Sequence, residues 1–515
     1  MITSTNPRTG APAGEEIEET SAGEVAARCQ EATEAAPALE ALGRHGRARM
    51  LHAMADALEA RRQEAVALAD LETALGGARL EGELTRTTYQ LRFFAEVLED
   101  GAYLEATIDH AGSSPMGPRP DLRRLLRPLG PVAVFGASNF PFAFSVPGGD
   151  TASALAAGCP VVVKGHEAHP RTSLLCAEAL AEGGARGGAG EHAVAIVLGV
   201  EAGRLLVLDP RITGVGFTGS LGGGRVLHEL AATRPSPVPF YGELGALNAV
   251  AVCPGAAARR GEEIAAGLSG SFTLGAGQFC TKPGLVLVPS GPAGDALARA
   301  LAAEVREKTP QAMLSARVVD GFLEGSSRLR QAVSVRSLAE GRRREAGSGW
   351  WGTPLLLEVD PDALDGPLLE ECFGPVLVLT RYDSGEHLAE LLGRLGPALA
   401  ASVHAEARGG SGGLEGEDAP LAAALVGQLA RKVGRIVWNG YPTGVAVSWA
   451  MHHGGPYPAA TDPLHSSVGA SAIRRWLRPV AYQDVPEALL PPEVRDELTA
   501  GERLPRRVDG EARLA

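Results

Sequence analysis

From about Ser21 to Glu99, alanine, leucine, glutamate and arginine recur at helical spacing with scarcely a proline, which predicts several amphipathic helices. The string Ala74-Leu-Gly-Gly-Ala marks a break between two of them. Ser113 to Asp121, rich in proline and glycine, reads as a linker or turn. From Gly130 the rhythm changes to short apolar runs separated by turn residues. Pro131-Val-Ala-Val-Phe, Pro160-Val-Val-Val-Lys, His192-Ala-Val-Ala-Ile-Val-Leu and Ile212-Thr-Gly-Val-Gly-Phe-Thr are four expected strands. Helical stretches, Asp150–Ala157 and about Thr172–Glu182, lie between them. Strands alternating with helices predict an α/β fold with a parallel sheet and right-handed crossovers.

After Gly245 the alternation repeats more loosely, with Asn248-Ala-Val-Ala-Val, a helix through Ala265 and strand Leu285-Val-Leu-Val. Arg408 to Asp418 is low in complexity and is expected to be a mobile surface insertion. Ile473 to Tyr482 alternates enough to be a late strand. No internal repeat is visible.

Composition narrows the function. A chain of 515 residues, 45% hydrophobic and 21% charged, reads as a soluble globular protein of two or three domains. A net charge of −13 argues against nucleic acid as the main partner. No apolar run approaches the roughly 20 residues of a membrane helix, and Met1 to Gly10 lacks the apolar core of a secretory signal. Six scattered cysteines with no CxxC pair suit reduced thiols in a cytoplasmic enzyme.

Chemistry concentrates at a few positions. Cys280 lies in Gly275-Ala-Gly-Gln-Phe-Cys-Thr, where the glycines permit close backbone approach and turn N–H groups are expected to lower the thiol pKa. Glu243, in Phe240-Tyr-Gly-Glu-Leu-Gly after Pro235, Pro237 and Pro239, sits in an apolar loop, and its desolvation predicts a raised pKa and a useful base. A thiolate that adds to a carbonyl and a carboxylate that activates water make a covalent mechanism. Asn139, just past the first strand, is a neutral donor suited to an oxyanion. Taken alone, each is more simply a core thiol, a loop acid or a turn former. Lys164 ends the second strand, where it bonds ribose or water. Phe217-Thr-Gly-Ser-Leu-Gly-Gly-Gly opens a helix with small residues and can admit a pyrophosphate, although it is not the GxGxxG fingerprint. The pairs His166/His169 and His452/His453 lack metal-ligand spacing and read as structural or pocket-lining, so no metal is expected.

In order, Asn139, Lys164, Phe217-Thr-Gly-Ser, Glu243-Leu-Gly, Gly277-Gln-Phe-Cys280 and Glu371-Cys-Phe-Gly-Pro resemble the motifs of the aldehyde dehydrogenase superfamily. Phe135 to Ser145, Gly148 to Lys164, His453-Gly-Gly-Pro-Tyr-Pro-Ala and Leu477 to Gln483 are most similar to its α-ketoglutaric semialdehyde (2,5-dioxopentanoate) and NADP-linked fatty aldehyde branch. The resemblance implies a Rossmann-type cofactor domain (residues 1–113 and 129–245), an α/β catalytic domain (246–450), an oligomerisation arm (114–128 and 471–486) and a C-terminal tail (487–515). It implies Cys280 as nucleophile, Glu243 as base and Asn139 with the Cys280 N–H as oxyanion hole. Lys164 would then hold the adenosine ribose, Gly219 and Ser220 the pyrophosphate, and Glu371 the nicotinamide ribose, with Phe373 beside the nicotinamide. It further implies oxidation of a semialdehyde or aliphatic aldehyde by NAD or NADP, in a homodimer or homotetramer. The alternatives are a cysteine hydrolase on the same thiol and a non-catalytic scaffold. The sequence departs from the branch in three places. Glu167, three residues after Lys164, should repel a 2′-phosphate and favours NAD. Ala446 replaces an acid, and the stretch from about Lys308 to Gly349 matches poorly. Lys282 is a further charge near the nucleophile; it reads first as a plain loop charge, and otherwise as one that attracts a substrate carboxylate.

Overall fold

The structure, a computed structural model, describes residues 1–344, 347–410 and 413–514. Helices α1 (Ala22–Ala41), α2 (Gly43–Ala60), α3 (Arg62–Thr73) and α4 (Gly77–Asp100) fill the N-terminal stretch. Ser21 starts α1 with a capping box: its hydroxyl accepts from Glu24 N–H while the Glu24 carboxylate accepts from Ser21 N–H (2.8 Å). Ala74 (φ 54°) and Gly76 (φ 89°) form the left-handed break between α3 and α4. On α4, Leu80, Leu84, Leu91, Phe94 and Leu98 share one buried face.

Strands β1 (Thr107–Asp109) and β2 (Leu122–Pro128) come next. Between them the expected turn holds a short hairpin, Gly112–Ser114 against Gly117–Arg119. Then follow β3 (Val132–Phe135), α5 (Gly149–Ala157), β4 (Val161–Gly165), α6 (Pro170–Arg186), β5 (Val194–Leu198), α7 (Val200–Leu208), β6 (Gly214–Thr218), α8 (Leu221–Thr233) and β7 (Phe240–Glu243). These five strands form a parallel sheet in the order β7-β6-β3-β4-β5. Val132, Val134, Val161 and Val163 share a core with α2, α4, α5 and α6, whereas Ala133, Phe135 and Val162 share one with α1 and α7. Both faces are covered, which is why the strands read as unbroken apolar runs. The chain builds outward from β3 to β5 and returns to β6, leaving a crevice at the carboxyl ends of β3 and β6.

A second sheet contains β8 (Asn248–Val252), β9 (Pro283–Pro289), β10 (Val335–Glu340), β11 (Leu355–Val359), β12 (Val376–Tyr382), β13 (Ala398–His404) and β14 (Val433–Trp438). Its order is β10-β11-β12-β9-β8-β13-β14, parallel except at β10. Helices α9 (Pro254–Thr273) and α10 (Pro292–Glu307) cover one face and α11 (Ala316–Gln331) lies over the other. In a third sheet, β15 (Leu477–Gln483) pairs antiparallel with β2. Residues 487–515 supply β16 (Pro505–Val508) and β17 (Glu511–Leu514) to the same sheet. No helix among the described residues is long and apolar enough to cross a membrane.

Three local expectations change. The late strand begins at Leu477 rather than Ile473, because Ala470–Trp476 is a 3-10 helix. Its Ile473 and Trp476 are wholly buried, and Trp476 Nε1–H donates to Ser153 Oγ (2.8 Å). The 408–418 segment is anchored by its last residue. Asp418 is buried and accepts from the backbone N–H groups of Gly255 (2.9 Å), Ala256 (3.0 Å) and Glu406 (2.7 Å), which caps α9. Residues 411 and 412 of that segment, and 345 and 346 of the poorly matching 308–349 stretch, lie outside the described residues. Finally, Glu243 ends strand β7 instead of lying in a loop.

Candidate active site

The nucleophile loop is held from several sides. Gly275 (φ 56°), Ala276 (φ 57°) and Gly277 (φ 67°) are three consecutive left-handed residues that turn the chain sharply before Cys280. Gly277 permits this turn for a second reason, since a Cβ there would stand 2.3 Å from the carbonyl oxygen of Gly374. Gln311 Oε1 accepts from Ala276 N–H (2.9 Å), while Gln278 donates to Gly275 O (2.9 Å) and accepts from Leu314 N–H (3.0 Å). Asn248, the first residue of β8, donates through Nδ2 to the carbonyls of Cys280 (2.8 Å) and Lys282 (3.1 Å). Asn139 Nδ2 donates to Gln278 O at 2.9 Å, which brings its amide to the same loop with one N–H to spare.

Glu243 reaches this loop from the other sheet. Gly219 N–H donates to its carbonyl (3.1 Å), and an isolated bridge to Ala460 holds its backbone. Its side chain is buried, receives a hydrogen bond from Ser467 Oγ–H, and places Oε1 2.5 Å from His453 Nε2. The same nitrogen lies 3.6 Å from Cys280 Sγ. Thiol, imidazole and carboxylate form one compact group, their reactive atoms all within 4.8 Å of one another. A cavity of about 20 Å³ adjoins Glu243, His453 and Ser467 and has room for one water.

The electrostatics reverse both expected pKa shifts. The Cys280 thiol is pushed up, not down, by burial and by the negative charges of Glu243 and Glu371. Glu243 has its carboxyl lowered: burial raises it, but the adjacent His453 and the Ser467 hydroxyl outweigh that penalty. For Glu243 desolvation alone was the wrong guide because partners stand beside it, whereas for Cys280 burial and the neighbouring carboxylates outweigh the turn N–H groups. Lys282 is also reassigned, since it is buried and its Nζ donates to Val376 O (2.9 Å) instead of facing a substrate.

The crevice carries the remaining residues. Phe135 and Phe217 end β3 and β6 in register, their rings 6.1 Å apart. Lys164 sits opposite Phe135 near the end of β4, buried, and its Nζ pairs with the half-buried Glu167 carboxylate. Ser220 caps α8, accepting from Gly223 N–H (3.3 Å), and Gly219 precedes it. Glu371 and Phe373, before β12, are half-buried. Gly245 makes space for the acid: a Cβ there would lie 2.0 Å from Glu371 Oε2.

Residues 1–410 match the model of the aldehyde dehydrogenase family. The chain belongs to that family. It is 43% identical over 490 residues to the α-ketoglutaric semialdehyde dehydrogenase 2 of Azospirillum brasilense, covering 94% of this chain and 91% of the relative. It is 42% identical over 430 residues to the α-ketoglutaric semialdehyde dehydrogenase of Acinetobacter baylyi, covering 82% and 80%. Among solved structures, the γ-glutamyl-γ-aminobutyraldehyde dehydrogenase of Burkholderia cenocepacia superposes with a TM-score of 0.79 at 21% identity, over 94% of this chain and 92% of that one. This aldehyde dehydrogenase therefore oxidises a small-molecule aldehyde with NAD(P).

The crevice of the dehydrogenase fits such a dinucleotide on three observations. Among the described residues nothing donates a hydrogen bond to the Glu371 carboxylate, and burial pushes its pKa up to about 7, as suits an acid awaiting hydroxyl donors. The glycines after Ser220 leave the first turn of α8 open, with free space at Gly222. Lys164 and Glu167 pair at the mouth of β4. Ser467 and Asn248 are site residues that sequence reasoning missed, and His453, read as structural or pocket-lining, was not linked to the thiol. His453 stands 173 positions from Cys280, so only the folded chain joins them.

Proposed function

We propose that this dehydrogenase oxidises a semialdehyde of the α-ketoglutaric type, prefers NAD⁺, and uses Cys280 as nucleophile and Glu243 as base. The observation that carries the mechanism is the contact of Cys280 Sγ with His453 Nε2 (3.6 Å) and of that nitrogen with Glu243 Oε1 (2.5 Å). The substrate class rests on the two relatives sharing 42–43% of residues.

A thiol pushed upward is protonated at rest, so attack on the aldehyde needs an acceptor. His453 Nε2 takes the proton with the Glu243 charge behind it. The oxyanion of the resulting adduct lies between the second Asn139 N–H and the Cys280 backbone N–H. Conversion of the adduct to a thioester needs a hydride acceptor, which is the chemistry a nicotinamide supplies. Glu243 then withdraws a proton from water, for which the adjoining cavity has room, and the acid leaves. Lys164 and Glu167 serve the adenosine ribose, Gly219 and Ser220 the pyrophosphate, Glu371 and Phe373 the nicotinamide end. The outward positions of β15 are exposed, which suits an arm joining a homodimer or homotetramer.

The reading is tested by following reduced cofactor with α-ketoglutaric semialdehyde and a panel of simple aldehydes. The expected result is turnover that favours the semialdehyde; ester cleavage without any reduction would overturn it. Replacing His453 by glutamine is expected to lower kcat/KM at neutral pH by roughly 10–100-fold and to recover part of it as hydroxide takes the thiol proton. The rate–pH profile should therefore move to higher pH, and an unmoved profile counts against the relay. On the cofactor side, the Glu167 carboxylate accepts from a ribose 2′-hydroxyl and repels a 2′-phosphate. Glu167→Ser is expected to raise the NADP⁺ to NAD⁺ ratio of kcat/KM by about tenfold, a conservative figure for one close like-charge contact. An unchanged ratio removes the argument for NAD.

A further inference from the structure

Helix α4 aims two arginines at the front of the nucleophile loop, with a single carboxylate, Glu83, between them. Arg79, Glu83 and Arg86 follow one another at four- and three-residue spacing and so lie on one face. Arg79 donates through Nη2 to Asn139 O (2.6 Å), and its guanidinium sits 5.0 Å from the ring centre of Phe140 and 4.7 Å from that of Phe279. Arg86 sits 4.9 Å from the ring centre of Phe144, whose ring in turn packs edge-on to His453 at 6.3 Å. Phe279 adjoins Cys280 and Phe144 adjoins His453, so each guanidinium packs on a ring next to a residue of the site. Arg86 is near enough to be influenced by the charges of Cys280 and Glu243.

Most of their hydrogen-bonding capacity is unused. Nη1 of Arg79 and both Nη atoms of Arg86 are shut off from water and have no hydrogen-bond partner. Among the described residues no carboxylate forms an ion pair with either arginine. Glu83 lies between them on the helix and its charge acts on both; its Oε1 accepts from the N–H groups of Phe142 (2.9 Å) and Ala143 (3.0 Å), and its Oε2 has no hydrogen-bond partner, so one carboxylate faces two guanidiniums. Two desolvated cations against one carboxylate leave a positive charge uncompensated, and a planar fork of free N–H donors matches a second carboxylate. Other cations near the site are already committed: Lys282 donates to Val376 O, and Arg435 donates to the carbonyls of Pro442 and Gly444.

We propose that Arg79 and Arg86 bind the far carboxylate of the substrate, which selects aldehydes carrying a carboxylate at the opposite end of a short chain. The Phe140, Phe144 and Phe279 rings would flank the intervening carbons and keep water from the pair. This rests on the semialdehyde reading and adds to it the side chains that enforce it.

The test uses the full-length enzyme with α-ketoglutaric semialdehyde and with pentanal, a neutral aldehyde of the same chain length. Arg86→Met is expected to lower kcat/KM for the carboxylated aldehyde about 100-fold, chiefly through KM, while pentanal changes by less than about threefold. Arg86→Lys should restore part of the loss, because it returns the charge without the fork. Equal losses on both substrates, or none on the carboxylated one, would overturn the proposal. An experiment on the unaltered enzyme guards against a variant that does not fold. Glutarate is expected to compete with pentanal where the uncharged pentanamide does not, and equal effects of the two would also count against the pair. If the unaltered enzyme does not prefer the semialdehyde to pentanal, the substrate reading itself fails. If it does and Arg86→Met keeps that preference, only the arginine assignment fails.

Discussion

Cys280→Ala is expected to abolish aldehyde oxidation, lowering kcat/KM by roughly 10⁴-fold or more, because no other group takes over a covalent step. The surrounding loop supports this expectation. The hydrogen bonds that shape the turn come from backbone atoms or from Asn139, Gln278, Gln311 and Asn248, and none comes from the thiol. Removing one sulfur therefore leaves the turn, the crevice and the arginine pair in place. Dinucleotide affinity, measured by fluorescence titration with reduced cofactor, should stay within about threefold of the unaltered enzyme, since the thiol has no part in holding it. Retention of most of the oxidation rate, with affinity intact, would remove Cys280 from the mechanism. A simultaneous loss of both properties would point to collapse of the site instead.

Glu243→Gln separates the two halves of the reaction. The amide keeps the size of the carboxylate and can still accept from Ser467, but it cannot take a proton from water. Acylation needs the thiol to lose one proton, and His453 remains 3.6 Å from the sulfur to receive it. Hydrolysis has no such substitute. Rapid mixing is expected to show about one equivalent of reduced cofactor per site and then a steady rate lower by roughly 10²–10⁴-fold. A steady rate close to that of the unaltered enzyme would refute the base role. The lowered carboxyl pKa adds a directional expectation. Because His453 and Ser467 stabilise the ionised form, Glu243 stays charged as pH falls through the ordinary carboxylate range, and hydrolysis is not its first casualty in mild acid. Acylation fails earlier, since the protonated thiol becomes still harder to ionise.

Much of the fold was legible because its strands are short, apolar on both faces and punctuated by glycine or proline. Val132–Phe135 and Val161–Gly165 are the clearest cases. The second sheet was read less fully, since its edge strand Val335–Glu340 alternates irregularly and pairs antiparallel. Ile473 to Trp476 misled for a physical reason: large apolar side chains serve a buried 3-10 turn as well as a strand, and periodicity over four residues cannot separate them. Asp418 was lost in a glycine-rich string, although one buried acid there holds the start of a helix more than 160 residues away. For the site, Cys280, Glu243 and Asn139 were each weak alone and persuasive only in order along the chain. His453 was read only as structural or pocket-lining, because nothing local ties it to a thiol 173 positions away. Arg79 and Arg86 were not singled out within the amphipathic stretch, because nothing in a sequence tells which polar face the rest of the chain will cover.

The contact between Gly277 and Gly374 has a mechanical consequence. With no side chain to act as a cushion, the strand of chain leading to the sulfur rests directly on the strand leading from Glu371 and Phe373. Any side chain at position 277 would have to wedge them apart, so the reach from sulfur to acid is set by a hydrogen where every other residue has a carbon.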